Sequence, residues 1–114
     1  MIIVNFDGEI ILVEQGKISG GASKDEATGR YYAHVTVTFP GVAKPIVILE
    51  TYQTEFAKAV MNHIADSLAF GATLIRLSDN STLKAYDDDE TALRAKYAQS
   101  DAEELRRAKH SNET

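Results

Sequence analysis

Four residues that could bind a nucleotide fall within eleven positions of this sequence; they are Phe70, Arg76, Asp79 and Asn80. An aromatic ring can stack on a base, an asparagine amide can pair with the edge of adenine, and an arginine can hold a phosphate bidentately. An adenine nucleotide site needs these three functions. A purely structural interpretation also stands, with Phe70 in the core, Arg76 on an edge strand and Asn80 in a turn.

The sequence contains no familiar catalytic motif. It has no Gly-x-Ser-x-Gly, Walker loop, His-Glu-x-x-His or Gly-x-Gly-x-x-Gly. The histidines His34, His63 and His110 are scattered, and none has a nucleophile nearby in the sequence. We interpret His34 as a solvated strand residue and His63 as a partly buried, hydrogen-bonded one. We therefore expect no catalytic residues, and a protein that is not an enzyme.

The acidic run Asp87–Glu90 could attract a hard cation through its carboxylate oxygens. It lacks the alternating ligands and central glycine of a calcium loop, so we favour a solvated acidic helix start, which suits the helix dipole. The chain has no cysteine, which excludes disulfides, thiol catalysis and thiolate metal sites. We expect neither a metal nor a cofactor.

The net charge and the distribution of apolar residues limit the possible partners further. A formal net charge of -5 argues against binding of duplex nucleic acid by phosphate neutralisation, but not against a small anionic ligand. We find no charged-then-apolar leader and no apolar run near the ~20 residues of a membrane span. The sequence therefore predicts no signal peptide and no membrane partner, and the absence of cysteine fits a reducing cytoplasm.

A short basic cluster near the end of the chain contains Arg106 and Arg107. Glu103 and Glu104 lie three and four residues earlier, so ion pairs along a helix would explain most of it. If the helix instead packs against its own copy across a symmetry axis, the arginines of the two copies would together form a second anion site.

The elements that must position these residues begin with β-strands. Ile2–Phe6 and Glu9–Val13 flank Asp7–Gly8, a preferred two-residue hairpin turn in which both positions need positive φ. The glycine-rich segment 19–29 is expected to be an exposed loop. Tyr31–Phe39 alternates cleanly, with Ala33, Val35, Val37 and Phe39 directed to one side. With a further strand over Ile46–Glu50, the pattern predicts a four-stranded antiparallel meander.

An amphipathic helix follows the meander. Phe56, Val60, Ile64 and Leu68 recur every four residues and predict one apolar face. Either Thr51 or Thr54 can cap its start, and Gly71 can end it. This helix must cover the sheet, because no other segment is apolar enough.

The remainder predicts a strand over Thr73–Leu77, a short strand or extended link over Thr82–Tyr86, and a polar second helix. The match of Ser100–Glu103 to a capping box suggests a break in that helix. The result is an α+β fold in a single domain, 1–114. It has a β-meander over 1–51, a central helix over 52–71, a strand and turn over 73–86, and a C-terminal helix over 88–110. The second helix is expected to lie along the domain or against a partner subunit.

This arrangement resembles the first Thoeris anti-defence family, phage-encoded sponges for immune signalling nucleotides. The spacing of Phe70 and Asn80 is similar to that of the family's ligand-contacting aromatic residue and asparagine. Arg106 or Arg107 would stand where the family has an arginine for a second, cyclic-oligonucleotide site. The resemblance covers most of the chain as architecture and few residues as motif.

The resemblance implies a protein that binds a cyclic ADP-ribose-type nucleotide without cleaving it. It also implies a homodimer or a higher homo-oligomer, acting in the host cytoplasm if the chain is phage-encoded. Two alternatives remain. One is a small acidic phage or mobile-element protein that inhibits a host protein by direct binding or nucleic-acid mimicry. The other is an assembly protein that docks through its second helix.

Overall fold

The computed structural model describes the backbone of residues 1–112 and the side chains of residues 1–109. The β-strands are β1 (Ile2–Val4), β2 (Ile10–Leu12), β3 (Lys17–Lys24), β4 (Tyr31–Thr38), β5 (Ile46–Thr51) and β6 (Leu74–Arg76). The helices are α1 (Thr54–Ala69) and α2 (Ser81–Asn112), with a short 3-10 turn over Leu77–Asp79. The predicted α+β class is confirmed, with antiparallel strands first, one helix in the middle and one at the end.

The strands form two sheets instead of one continuous meander. β3, β4 and β5 make an antiparallel sheet, which we call the large sheet. β1 and β2 form a hairpin, and β6 joins β1 in parallel to complete the small sheet, in the order β2-β1-β6. The predicted four-stranded meander is therefore wrong. Sequence order favours pairing between neighbours, whereas β6 returns after α1 and pairs with the first strand.

One hydrophobic core joins both sheets to α1. The alternation predicted for β4 is confirmed, because Ala33, Val35 and Val37 are buried. Ile3, Ile11 and Ile75 bring one buried residue from each strand of the small sheet to the same core. Apolar residues at every second strand position therefore bury both sheets against α1.

The central helix agrees with its predicted pattern except at its two ends. Phe56, Val60 and Ile64 are buried, but Leu68 is 48% exposed because it lies past the sheets. The first residue before the helix is Gln53, whose side chain makes no cap hydrogen bond, so neither threonine caps the helix. Gly71 ends it with φ +78°, a conformation that glycine adopts without a steric penalty.

Two turns differ from their predictions. Only Gly8 has a positive φ in the first hairpin, so the two-residue turn at Asp7–Gly8 is wrong. The turn spans Asn5–Glu9, and the buried side-chain oxygen of Asn5 accepts from the amides of Asp7 and Glu9 at 3.1 and 2.9 Å. The predicted loop over 19–29 is mostly strand β3, and only the segment 25–29 turns the chain. Pairing with β4 overrides the low strand propensity of its glycines.

Helix α2 is longer and more regular than predicted. It begins at Ser81, so the segment Thr82–Tyr86 is its first turns and not a strand or link. It continues without a break past Ser100, so the potential capping box there is unused. No helix in the described part of the chain is both long and apolar enough to cross a membrane.

Candidate functional site

The Phe70 ring is the most exposed large apolar side chain among the residues described. It is 91% exposed and follows the last residue of α1, with φ -88° and ψ 4°. The core position that the structural interpretation allowed for Phe70 is therefore wrong. An aromatic face that is exposed to solvent can stack on a ligand.

Asn80 starts helix α2. Its side-chain oxygen accepts the amide hydrogen of Leu83 at 3.1 Å, and its backbone oxygen accepts that of Lys84 at 2.9 Å. This is an N-cap, in which a side-chain oxygen satisfies an amide that has no partner within the helix. The amide nitrogen of Asn80 lies 3.4 Å from His63 Nδ1. The side chain is thus held in one orientation by α1 and α2 together, and His63 is half-buried, as predicted.

His63 and Phe70 share one flank of α1. They are seven residues apart, which is about two helical turns, so both project to the same side. We call these two residues, together with Asn80, which contacts His63, the Phe70 flank. It is produced where α1 ends and α2 begins, because Asn80 reaches across to His63.

Arg76 and Asp79 are exposed beside this junction. Arg76 is the last residue of β6 and points away from the core, between buried Ile75 and buried Leu77. Asp79 ends the 3-10 turn, one residue before Asn80. The predicted interpretation of Arg76 as a charge that alternates with core positions therefore agrees with the structure. None of the ion pairs among residues 1–109 involves either of these two residues.

The single chain does not enclose the Phe70 flank. The three principal cavities of the described residues lie elsewhere and include none of Phe70, Arg76, Asp79 or Asn80 in their linings. None of these three cavities therefore lies at the junction between α1 and β6. The helix ends at the surface of the described part of the molecule, where Phe70 is exposed.

The basic cluster on α2 is exposed. Arg106 and Arg107 lie where the helix has passed the sheets, and every residue from Ala102 to Lys109 is exposed. Among residues 1–109, neither arginine forms an ion pair with Glu103 or Glu104, so the expected helical pairing is not found. His110 lies outside the residues whose side chains are described.

The acidic run contains a residue that sequence reasoning missed. Glu90 is only 4% exposed, and its carboxylate accepts the Thr51 hydroxyl at 2.6 Å and the Tyr52 amide at 3.0 Å. Gln53 and Arg94 also bind it, at 3.3 Å each. We call this group the Glu90 junction. The prediction of a wholly solvated helix start is wrong, since the run lies in the interior of α2 and Glu90 ties that helix to the end of β5.

A cleft of about 500 Å³ beside the Glu90 junction is lined by the β1–β2 turn, β5 and α2. Asp87 lines it, and partial burial, with further contributions from Asp88, Asp7 and Glu90, raises the pKa of its carboxyl above the ordinary value, against the opposing charge of Lys84. Among the described residues, no three carboxylate or imidazole groups converge in a way that could hold a metal ion.

Arginine–aromatic contacts hold α2 against the large sheet. The Arg30 guanidinium lies 4.1 Å from the centre of the Tyr97 ring and bonds Asp101 at 2.9 Å. Asp101 raises the pKa of Arg30, chiefly through this hydrogen bond. Tyr97 in turn packs edge-on against Tyr52. No local pattern in the sequence indicated these contacts, because Arg30 and Tyr52 are far from Tyr97 along the chain.

Comparison with known proteins identifies no relative: no family model matches the chain, nor does any curated protein or any solved structure.

Proposed function

We propose that this protein is a non-catalytic binding protein that sequesters a cyclic ADP-ribose-type signalling nucleotide. The observation that carries the proposal is the 91% exposed ring of Phe70 on the flank of α1 that also bears His63, the residue that the Asn80 amide contacts. Exposing a phenylalanine to water forgoes roughly 1.5–3 kcal/mol of burial free energy. A ligand that stacks on the ring would recover part of it.

Asn80 of the Phe70 flank and the exposed residues Arg76 and Asp79 each have a role in the proposal. An asparagine amide offers two lone pairs and two donors. Helix capping uses one lone pair of Asn80 and His63 takes one donor, which leaves one of each for an adenine edge. The guanidinium of Arg76 would bind phosphate oxygens, and the Asp79 carboxylate would accept from ribose hydroxyls.

Enclosure would come from a second subunit. Sequestration of a scarce signal needs nanomolar affinity, about -12 kcal/mol, and small ligands reach it in deep, pre-formed pockets. The small sheet supplies a surface for such an assembly, because the side that faces away from the core bears Ile10, 71% exposed, and Leu12, 65% exposed. Exposed apolar surface of this kind marks interaction sites. The proposed state is therefore a homodimer or higher oligomer, in which the exposed Arg106 and Arg107 of two helices would form the second anion site.

Inhibition of a host protein through acidic mimicry draws less support from the contacts. Glu90, the last member of the acidic run, is buried and accepts a hydrogen bond from Thr51, so it is engaged within the chain. Mimicry of a nucleic acid requires carboxylates that are free to meet a partner's basic residues.

Calorimetric titration of the full chain with cyclic ADP-ribose isomers tests the proposal. We expect tight binding, followed by release of chemically intact nucleotide after heat denaturation, measured by mass spectrometry. Cleaved nucleotide would show that the protein is an enzyme, and absence of heat with every isomer would overturn the ligand class. Capture of a host protein from lysate, without nucleotide binding, would favour the mimicry alternative instead.

A further inference from the structure

A groove lies on the side of α1 opposite the Phe70 flank. Met61 and Phe70 are nine residues apart, about two and a half turns, so they project in opposite directions. The groove has a volume of about 530 Å³. Gly20, Ala22 and Ala33 of the large sheet form its floor, and Ala57 and Met61 of α1 form its wall. Its size falls in the range of small-molecule sites.

Gly20, on the floor of this groove, differs from the other glycines of the chain in that nothing in the fold requires a glycine there. Of the seven glycines, four adopt a left-handed backbone: Gly8, Gly29, Gly41 and Gly71. A Cβ on Gly16 or Gly21 would come within 2.6 or 2.7 Å of a neighbouring side chain. Gly20 has neither restriction, since its nearest neighbours would be the His34 backbone oxygen at 3.8 Å and Met61 Cγ at 3.9 Å.

Neither the backbone nor internal packing therefore accounts for the missing side chain at Gly20. A glycine within a strand costs about 0.5–1 kcal/mol relative to alanine, and it commonly marks a place where a ligand approaches the backbone. Together with Ala22 and Ala33, it leaves a flat floor of peptide groups and methyl groups.

The surrounding groups define what would fit. A flat floor suits a planar ring, and the Met61 thioether forms favourable contacts with aromatic rings. Among the described residues that line the groove, Lys58 alone carries a full charge. Its ion pair with Glu55, at 3.5 Å, is exposed to solvent and therefore weak, so the ammonium group is available to a ligand. Thr54 and Asn62 add hydroxyl and amide groups beside it. We propose that this groove binds a planar aromatic ring that carries an anionic group.

Two sources share this chemistry, a nucleotide and an aromatic carboxylic acid. Titration of the full, isotope-labelled chain with adenosine monophosphate or with indole-3-acetate, followed by nuclear magnetic resonance, distinguishes them. We expect one of the two probes to shift the backbone amides of Gly20, Ala22 and Met61. Failure of both probes to shift these amides would overturn the proposal.

Variants test the groove directly. The space around Gly20 accommodates a Cβ, so Gly20→Val should fold while its methyl groups fill the groove, and we expect at least about tenfold weaker binding. Ser19→Val places the same side chain on the opposite face of β3 and should bind as the parent does. Lys58→Gln should weaken binding several-fold and remove its dependence on salt. Unchanged binding by Gly20→Val would contradict the proposal.

The groove proposal does not depend on the Phe70 flank. Phe70→Ala should leave the probe-induced shifts at Gly20 unchanged, and Gly20→Val should leave binding of cyclic ADP-ribose isomers unchanged. Loss of the Gly20 shifts in Phe70→Ala would mean that the probes bind at the Phe70 flank, and would overturn the groove as their site.

Discussion

The Glu90 junction and the Phe70 flank both join α2 or its N-cap to another element of the molecule, yet they differ in which groups they leave free. At the junction, the carboxylate of Glu90 is buried and surrounded by donors from Thr51, Tyr52 and Gln53. At the flank, the Phe70 ring is uncovered and the Asn80 amide is only partly used. A buried, fully bonded group stabilises the fold, whereas a fixed but incompletely bonded group is available to a ligand.

The largest effect on this comparison should come from Glu90→Ala. The substitution leaves the Thr51 hydroxyl and the Tyr52 amide without their acceptor, so we expect a loss of about 2–4 kcal/mol in the free energy of unfolding. Urea denaturation followed by circular dichroism would measure it. Asp89→Ala, at an exposed position of the same helix, is the matched control and should change stability little. A loss no larger than the control's would show that the junction is not a stabilising contact.

Phe70→Ala should separate binding from stability. We expect nucleotide affinity to fall by roughly 1–3 kcal/mol through lost stacking, while the free energy of unfolding changes by less than about 0.5 kcal/mol. Calorimetry and urea denaturation would measure the two quantities, with Leu68→Ala as a control on the other flank of α1. Normal binding by Phe70→Ala would remove this residue from the site, even if sequestration itself is observed.

Asn80 combines both roles, and two substitutions should divide them. Asn80→Ala removes the cap as well as the amide and should cost about 1 kcal/mol of stability. Asn80→Ser keeps a capping oxygen but cannot present an amide to adenine, so stability should be retained and affinity lost. If Asn80→Ser binds as tightly as the parent, the role of the asparagine is structural only.

The smallest effect should be the pH dependence that Asp87 contributes. Its pKa is raised in the folded chain, chiefly by burial, so the folded state holds this proton more tightly than the unfolded state does. The resulting stabilisation is present at acid pH and is lost as pH rises from the unfolded pKa, about 3.9, through the folded one. Asp87→Asn should therefore be more stable than the parent at neutral pH, with the advantage vanishing at acid pH. Denaturation curves measured across this range test it, and a stability difference between Asp87→Asn and the parent that does not change with pH would contradict the prediction.

Local patterns predicted the elements whose periodicity is strong. Alternation along β4 and the four-residue repeat from Phe56 to Ile64 identified the buried faces correctly, because side-chain direction follows from strand and helix geometry. Gly71 marked the end of α1 for a similarly local reason. Weaker patterns gave wrong predictions. The glycines of β3 led to the prediction of a loop, and the first turns of α2 were predicted as a short strand or an extended link.

Contacts between distant residues were beyond such patterns. The parallel pairing of β6 with β1, the burial of Glu90 and the link from Asn80 to His63 join residues from seventeen positions apart to more than seventy. Nothing in the neighbourhood of Glu90 distinguishes it from Asp88 or Asp89; its burial follows from where α2 crosses the end of β5. The candidate nucleotide residues could be named from their chemistry, but their exposure could not.

The sequence by itself determined the α+β class, the buried faces of β4 and α1, and the residues with the chemistry to bind a nucleotide. These depend on periodicity and on side-chain type, which act locally. The tertiary structure alone decided that the strands divide into two sheets, that Glu90 is interior, that Phe70 is left in solvent, and that Asn80 contacts His63. Each of these depends on which surfaces remain after distant segments have packed together, and burial is a property of the whole chain.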